Sequence, residues 1–139
     1  MIFLLALLAG CASDDARLQG TWHFNREATT TAALARVPSW TNLPPGRIEW
    51  LKQDLFGHTS VTYSNGMKTW QYEGDPEVFR CRYRVVSQGK DYVVVHSYEP
   101  LCMGIDIKIR FVDGGQGYWI DNGPFGFGLQ ERFNKVPSP

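Results

Sequence analysis

Cysteine, histidine and unbroken apolar stretches are all scarce in this 139-residue chain, and each scarcity excludes something. The three histidines, His23, His58 and His96, are scattered. None falls in a His-x-His or His-Glu-x-x-His spacing that would put two imidazoles on one metal ion. The three cysteines, Cys11, Cys81 and Cys102, include no Cys-x-x-Cys pair, so no zinc or redox motif is present. There is no Gly-x-Ser-x-Gly nucleophile turn and no glycine-rich phosphate loop. The carboxylates of Glu73 and Asp75 sit in a turn and read as solvated. These absences point to a protein that is not an enzyme and needs no cofactor or metal. Charge of either sign is also missing in excess: Lys plus Arg and Asp plus Glu number 14 each. A net charge of zero generates no field that would recruit nucleic acid. The apolar run Ile2–Ala9 spans eight residues, far below the roughly 20 that cross a bilayer as a helix.

What the chain does have is apolar and aromatic mass. Hydrophobic residues make up 43% and aromatics 14%, five of them Trp, enough to bury one core and to argue against disorder. A short apolar run ending in small residues has the form of a cleavable leader. Here it ends in Leu8-Ala9-Gly10-Cys11, which resembles the lipobox of bacterial lipoproteins at all four positions. That resemblance implies a signal peptide over residues 1–10, a lipid-modified Cys11 carrying diacylglycerol and palmitate, and a polar tether over 11–18. Several acyl chains would hold the protein stably on a membrane, its principal expected partner. No Lys or Arg precedes the run, which places the expected start upstream of Met1. Ala12 follows the cysteine where an inner-membrane lipoprotein tends to have Asp, so the resemblance favours the bacterial outer membrane. In an oxidising envelope the other two cysteines, Cys81 and Cys102, are expected to pair; buried free thiols are the alternative. A bridge closing a loop of about twenty residues contributes on the order of 3 kcal/mol.

From Gln19 onward the pattern is strands and tight turns. Thr21–Phe24 is rich in β-formers, and residues 28–37 are the one stretch with helical character, stopped by Pro38. Pro44-Pro45-Gly46 makes a rigid loop; Arg47–Phe56 and His58–Tyr63 read as strands. Asn65-Gly66 is a strong hairpin signal, returning through Met67–Glu73. In Phe79–Val85 the odd positions are apolar and the even ones are Arg80, Arg82 and Arg84, a strict period of two that points the arginines outward. Tyr92–Tyr98, Ile105–Phe111, Gly117–Asp121 and Phe125–Val136 follow, separated by Gln88-Gly89-Lys90, Asp113-Gly114-Gly115 and Asn122-Gly123-Pro124. Eight or nine strands with short connections predict an all-β domain over 19–136. Its expected form is an up-and-down antiparallel β-barrel of about eight strands with one short helix or loop after the first. Closure is favoured over a sandwich because it removes both sheet edges.

Gly20-Thr21-Trp22 resembles the Gly-x-Trp that opens the first strand of lipocalins and related calycin barrels. That resemblance implies that Gly20 bends the chain, that Trp22 plugs the closed end, and that Arg132, in Arg132-Phe133-Asn134-Lys135-Val136, packs over Trp22. There is no second signature of the Thr-Asp-Tyr kind and no C-terminal helix, so the resemblance reaches a small lipocalin-like barrel and no further.

Trp50, Trp70, Tyr72, Phe79, Tyr83, Phe111, Trp119 and Phe127 fall on the predicted strands. Trp50, Trp70, Tyr83, Trp119 and Phe127 are the candidate ligand-binding residues. Two readings remain open. Either the barrel holds a small apolar or amphiphilic ligand, or rings fill it, as they can in an eight-stranded barrel. In the second case the protein is structural or binds a protein partner through its outer face. The Gly–Phe alternation of Gly123–Gly128 reads as a strip against which a ring packs closely.

Overall fold

The computed structural model describes residues 14–50, 59–97, 99, 102, 104, 106–121 and 129–139. Eight strands form one closed barrel in sequence order, every neighbouring pair antiparallel, with the last strand pairing back to the first. They are β1 Gly20–Phe24, β2 Thr59–Ser64, β3 Met67–Tyr72, β4 Val78–Gln88, β5 Tyr92–Ser97, β6 Asp106–Val112, β7 Gly117–Ile120 and β8 Glu131–Lys135. The predicted up-and-down barrel is therefore the fold, with helix α1 at Arg26–Arg36 directly after β1.

Period-two alternation decides which side chains enter the barrel. On β4, Cys81 and Tyr83 are buried while Arg80, Arg82 and Arg84 are exposed. Tyr118 and Ile120 of β7 are buried, as are Glu131 and Phe133 of β8. Val93, Val95, Ile109 and Val61 complete the inner surface. The Cys81–Cys102 disulfide is present, with Cα atoms 6.4 Å apart, tying the β5–β6 connection to the inner wall of β4.

The two ends differ. At one end Trp22 is fully buried. Its indole Nε1 donates to Leu18 O at 2.9 Å, and its ring lies 4.7 Å from that of Tyr118. The β2–β3, β4–β5 and β6–β7 turns gather here. Asn65 and Gly66 take the positive φ that makes Asn-Gly a tight turn. The other end is the mouth, next to α1. Asn25 caps that helix by accepting from Ala28 N–H at 2.9 Å. Thr29 Oγ1 accepts from Arg132 N–H at 3.0 Å, and Ala33 packs with Leu129, so the helix is bound to the start of β8.

Three sequence expectations are corrected. Arg47–Trp50, expected to open a strand after a Pro44-Pro45-Gly46 loop, instead belongs to a short helix α2 at Pro45–Trp50. Pro45 stands at its first position, where a fixed φ and the lack of an N–H favour a helix, and Pro44 O accepts from Arg47 and Ile48. The rest of that expected strand, and the Gly123–Gly128 strip, lie outside the described residues. The tether expected over 11–18 is not seen over Asp14–Leu18, the part of it that lies among the described residues. Asp15 and Leu18 are buried, and Asp14–Leu18 forms a packed cap on the closed end. Apolar burial of Leu18 and the bonds of Asp14, Asp15 and Arg17 described below are the reason. Third, Arg132 is not the cation over Trp22. That place belongs to Lys135, whose Nζ is 5.3 Å from the ring centroid. Arg132 faces outward in register with Trp119, its guanidinium 5.5 Å over that ring and paired with Asp113. Gly117 leaves the space that this guanidinium occupies, since a Cβ there would lie 2.2 Å from it.

Candidate functional site

The closed end is fastened by residues that carry no motif. Arg17 forms a two-pronged pair with Asp15, at 3.0 and 2.8 Å. It also donates to Gly89 O and Lys90 O at 2.9 and 2.7 Å and lies 4.9 Å over the Phe111 ring. Its hydrogen bonds hold the Asp15 carboxyl below the usual carboxylate range, against the opposing effect of burial. Asp14 binds the Tyr83 hydroxyl, which Gln19 also reaches at 3.2 Å. Burial, followed by that aspartate, pushes the Tyr83 phenol well above its ordinary value. Gly20 has φ +115, a conformation that side chains rarely adopt, and Lys135 Cε would lie 3.3 Å from a Cβ placed there. This end is sealed.

The mouth is built differently. Inward positions of β3 and β4 bring Trp70 and Phe79 into register, their rings stacked with centroids 5.4 Å apart and planes 17° apart. Tyr72 meets Phe79 edge-on at 6.1 Å and remains 49% exposed. Beside this shelf a groove of about 490 Å³ runs over the rim past Tyr72, Phe24, His23, Arg26 and Gln71. A second, of about 480 Å³, shares His23, Phe24 and Arg26 and extends to Glu27, Glu49 and Asn134. The mouth is therefore aromatic within and polar at its edge.

Between shelf and floor lies a polar layer. Tyr63 of β2 and Lys68 of β3 are paired across their strands, and Tyr118 and Glu131 come from β7 and β8. Tyr63 and Tyr118 are fully buried, and burial raises both phenols above their ordinary value. The two hydroxyls approach each other closely enough to act on one another, but among the described residues neither Tyr118 Oη nor Glu131 Oε2 meets a partner at good hydrogen-bond geometry. Glu131 is 7% exposed. Desolvation pushes its carboxyl up to about 7, with the Lys68 ammonium opposing through space. Lys68 is lowered by the same desolvation, with Glu131 opposing.

No family model, curated protein or solved structure matches this chain. Its own geometry carries the reading. Among the described residues no group of three or more His, Cys, Asp or Glu side chains could hold a metal. No helix among them is long and apolar enough to cross a membrane.

The predicted site residues are distributed unevenly. Trp70 is at the mouth. Tyr83 points inward but belongs to the sealed end, Trp119 lies on the outer face under Arg132, and Trp50 is 43% exposed on α2. Phe127 and Cys11 lie outside the described residues. Sequence reasoning missed Lys68, Tyr118 and Glu131 as a group, although a signal existed. Glu131 shares its parity with Phe133, and Lys68 shares its parity with Trp70 and Tyr72, so the alternation that turns those rings inward turns these polar groups inward too.

Proposed function

We propose that this protein is a non-enzymatic lipoprotein of the bacterial envelope that binds a small apolar or amphiphilic molecule at the mouth of its barrel. The observation that carries the reading is the inward shelf of Trp70, Phe79 and Tyr72 at the mouth, whose exposed member, Tyr72, lines a groove of about 490 Å³ together with Phe24. A volume of that order is what ligand sites occupy, and burying an aromatic shelf under an apolar ligand is favourable in proportion to the area covered. The polar rim then suits an amphiphile whose polar part stays near water. A lipid at Cys11 would hold the domain on the membrane, the outer one being favoured by Ala12. Asp14–Leu18 caps the closed end, three residues after Cys11 in sequence, so an anchor there would lie at that end. The closed end would then rest near the bilayer, and the mouth would face away.

The test is native mass spectrometry of the full chain purified from its own host. The expected result is a retained small amphiphile that is lost in Trp70→Ala. A bare mass, together with unchanged tryptophan emission on adding apolar probes, would overturn the binding reading and favour the filled-barrel, protein-binding alternative. The Leu18 and Trp22 floor is the feature that alternative rests on. The anchor is tested separately: Cys11→Ser should move the protein out of the membrane fraction, and unchanged partitioning would refute it.

A further inference from the structure

The polar layer beneath the aromatic shelf is unexplained by packing. An inward glutamate in a filled barrel is unfavourable, because its buried oxygen finds no donor. The Tyr118 hydroxyl is also fully buried, with the Tyr63 phenol beside it but not at good hydrogen-bond geometry. Neither is repaired by Lys68, which acts on Glu131 only through space. The layer adjoins the partly open shelf along β3, where Lys68 and Trp70 occupy successive inward positions. Lys68 is paired with Tyr63 and Cys81, both at most 1% exposed, yet is itself only partly buried, as is Trp70 two residues further toward the mouth. Glu131 is the first residue of β8, the end of that strand nearest α1 and the mouth.

We propose that Glu131, Tyr118 and Lys68 form a recognition subsite for the head of the bound molecule. That head is a neutral group carrying both a hydrogen-bond donor and an acceptor, a hydroxyl or a primary carboxamide, on an apolar tail lying along Trp70 and Phe79. This inference rests on the ligand-binding reading above. The chemistry follows from the inventory of the layer. At pH 8, above the Glu131 carboxyl's value of about 7, Glu131 is mostly ionised and accepts only, so the head must donate; Lys68 donates only, so the head must also accept; Tyr118 can do either. A carboxylate head would suit Lys68 but face Glu131 with like charge and offer it no proton. A trimethylammonium head would suit the charge of Glu131 but has no N–H, and it would be repelled by Lys68. Only a head with both functions leaves no buried polar group unpaired, and unpaired groups are what discriminate most strongly against a wrong ligand.

Four probes with one tail separate the cases: octanamide, 1-octanol, octanoate and octyltrimethylammonium, titrated at pH 8 into the full chain with tryptophan emission and calorimetry as readouts. The expected result is that octanamide and 1-octanol bind at least about tenfold more tightly than either charged probe. Glu131→Leu and Tyr118→Phe should each erase that preference, and Glu131→Gln, which keeps an acceptor oxygen, should retain much of it. Tyr118→Phe removes one oxygen from the layer and serves as the readout should Glu131→Leu not fold. Equal binding of all four probes would overturn the subsite and leave the ligand-binding reading standing. Tightest binding of octanoate would overturn the neutral head and make Lys68 the recognising group. No binding of any probe would overturn both readings, with water then occupying the layer.

Discussion

Replacing Glu131 by Gln should change how stability depends on pH more than it changes stability itself. Burial raises the Glu131 carboxyl from 4.5 in its ordinary state to about 7 in the folded protein. The folded state thus binds this proton more tightly than the unfolded state does. The stabilisation is fully present below 4.5 and is lost as pH rises through about 7. A displacement from 4.5 to 7, at about 1.4 kcal/mol for each pH unit, corresponds to about 3 kcal/mol between pH 4.5 and pH 8. Gln has the shape of the protonated acid and no such proton, so its stability should be nearly level over the same range. Asp15 and Asp121, held low chiefly by hydrogen bonds from Arg17 and Arg110, act in the opposite sense. Their contributions are lost only as pH falls below their ordinary 3.8, outside the window. The assay is urea unfolding at pH 4.5, 6, 7 and 8, followed by tryptophan emission. Wild-type midpoints should fall steadily across the series, and those of Glu131→Gln should not. Parallel curves for the two proteins would refute the argument, since they would place the Glu131 carboxyl in water.

Trp22→Ala removes a fully buried ring that contacts Tyr118 and caps the barrel, and should cost about 3–5 kcal/mol in urea unfolding. A loss under about 1 kcal/mol would mean that the closed end does not depend on it. Opening the Cys81–Cys102 bridge, by reductant or by the double Ala variant, frees a loop of sequence separation 21 and should lower stability by about 3 kcal/mol. Ellman titration of the unfolded wild-type chain without reductant should find neither thiol of this pair free.

Residues that carry local rules were legible in the sequence. Period two over Phe79–Val85 told which face of β4 is buried, Asn65-Gly66 told where the chain reverses, and short connections told that neighbours in sequence are neighbours in the barrel. Parity along β7 and β8 also held the inward placing of Tyr118 and Glu131. What could not be read was anything set by pairs of strands far apart in sequence. Trp119 is as aromatic as Trp70, and while alternation with Tyr118 and Ile120 turns it outward, its cover by Arg132 is set by the register of β7 with β8. Arg132 and Lys135 are both cations on the last strand, and only the closing pair β1–β8, which sets Trp22 opposite Lys135, decides which one covers Trp22. Asp14–Leu18 has the composition of a tether, and its role as a cap exists only because Gly89, Lys90 and Phe111 stand within reach of Arg17. The sequence by itself therefore determined an antiparallel up-and-down barrel of about eight strands and the inward or outward sense of most side chains, because those follow from backbone periodicity and turn chemistry. Tertiary structure alone decided which end is sealed, which rings remain open and which carboxyl is buried beside Lys68, because closure brings together residues that share no local pattern.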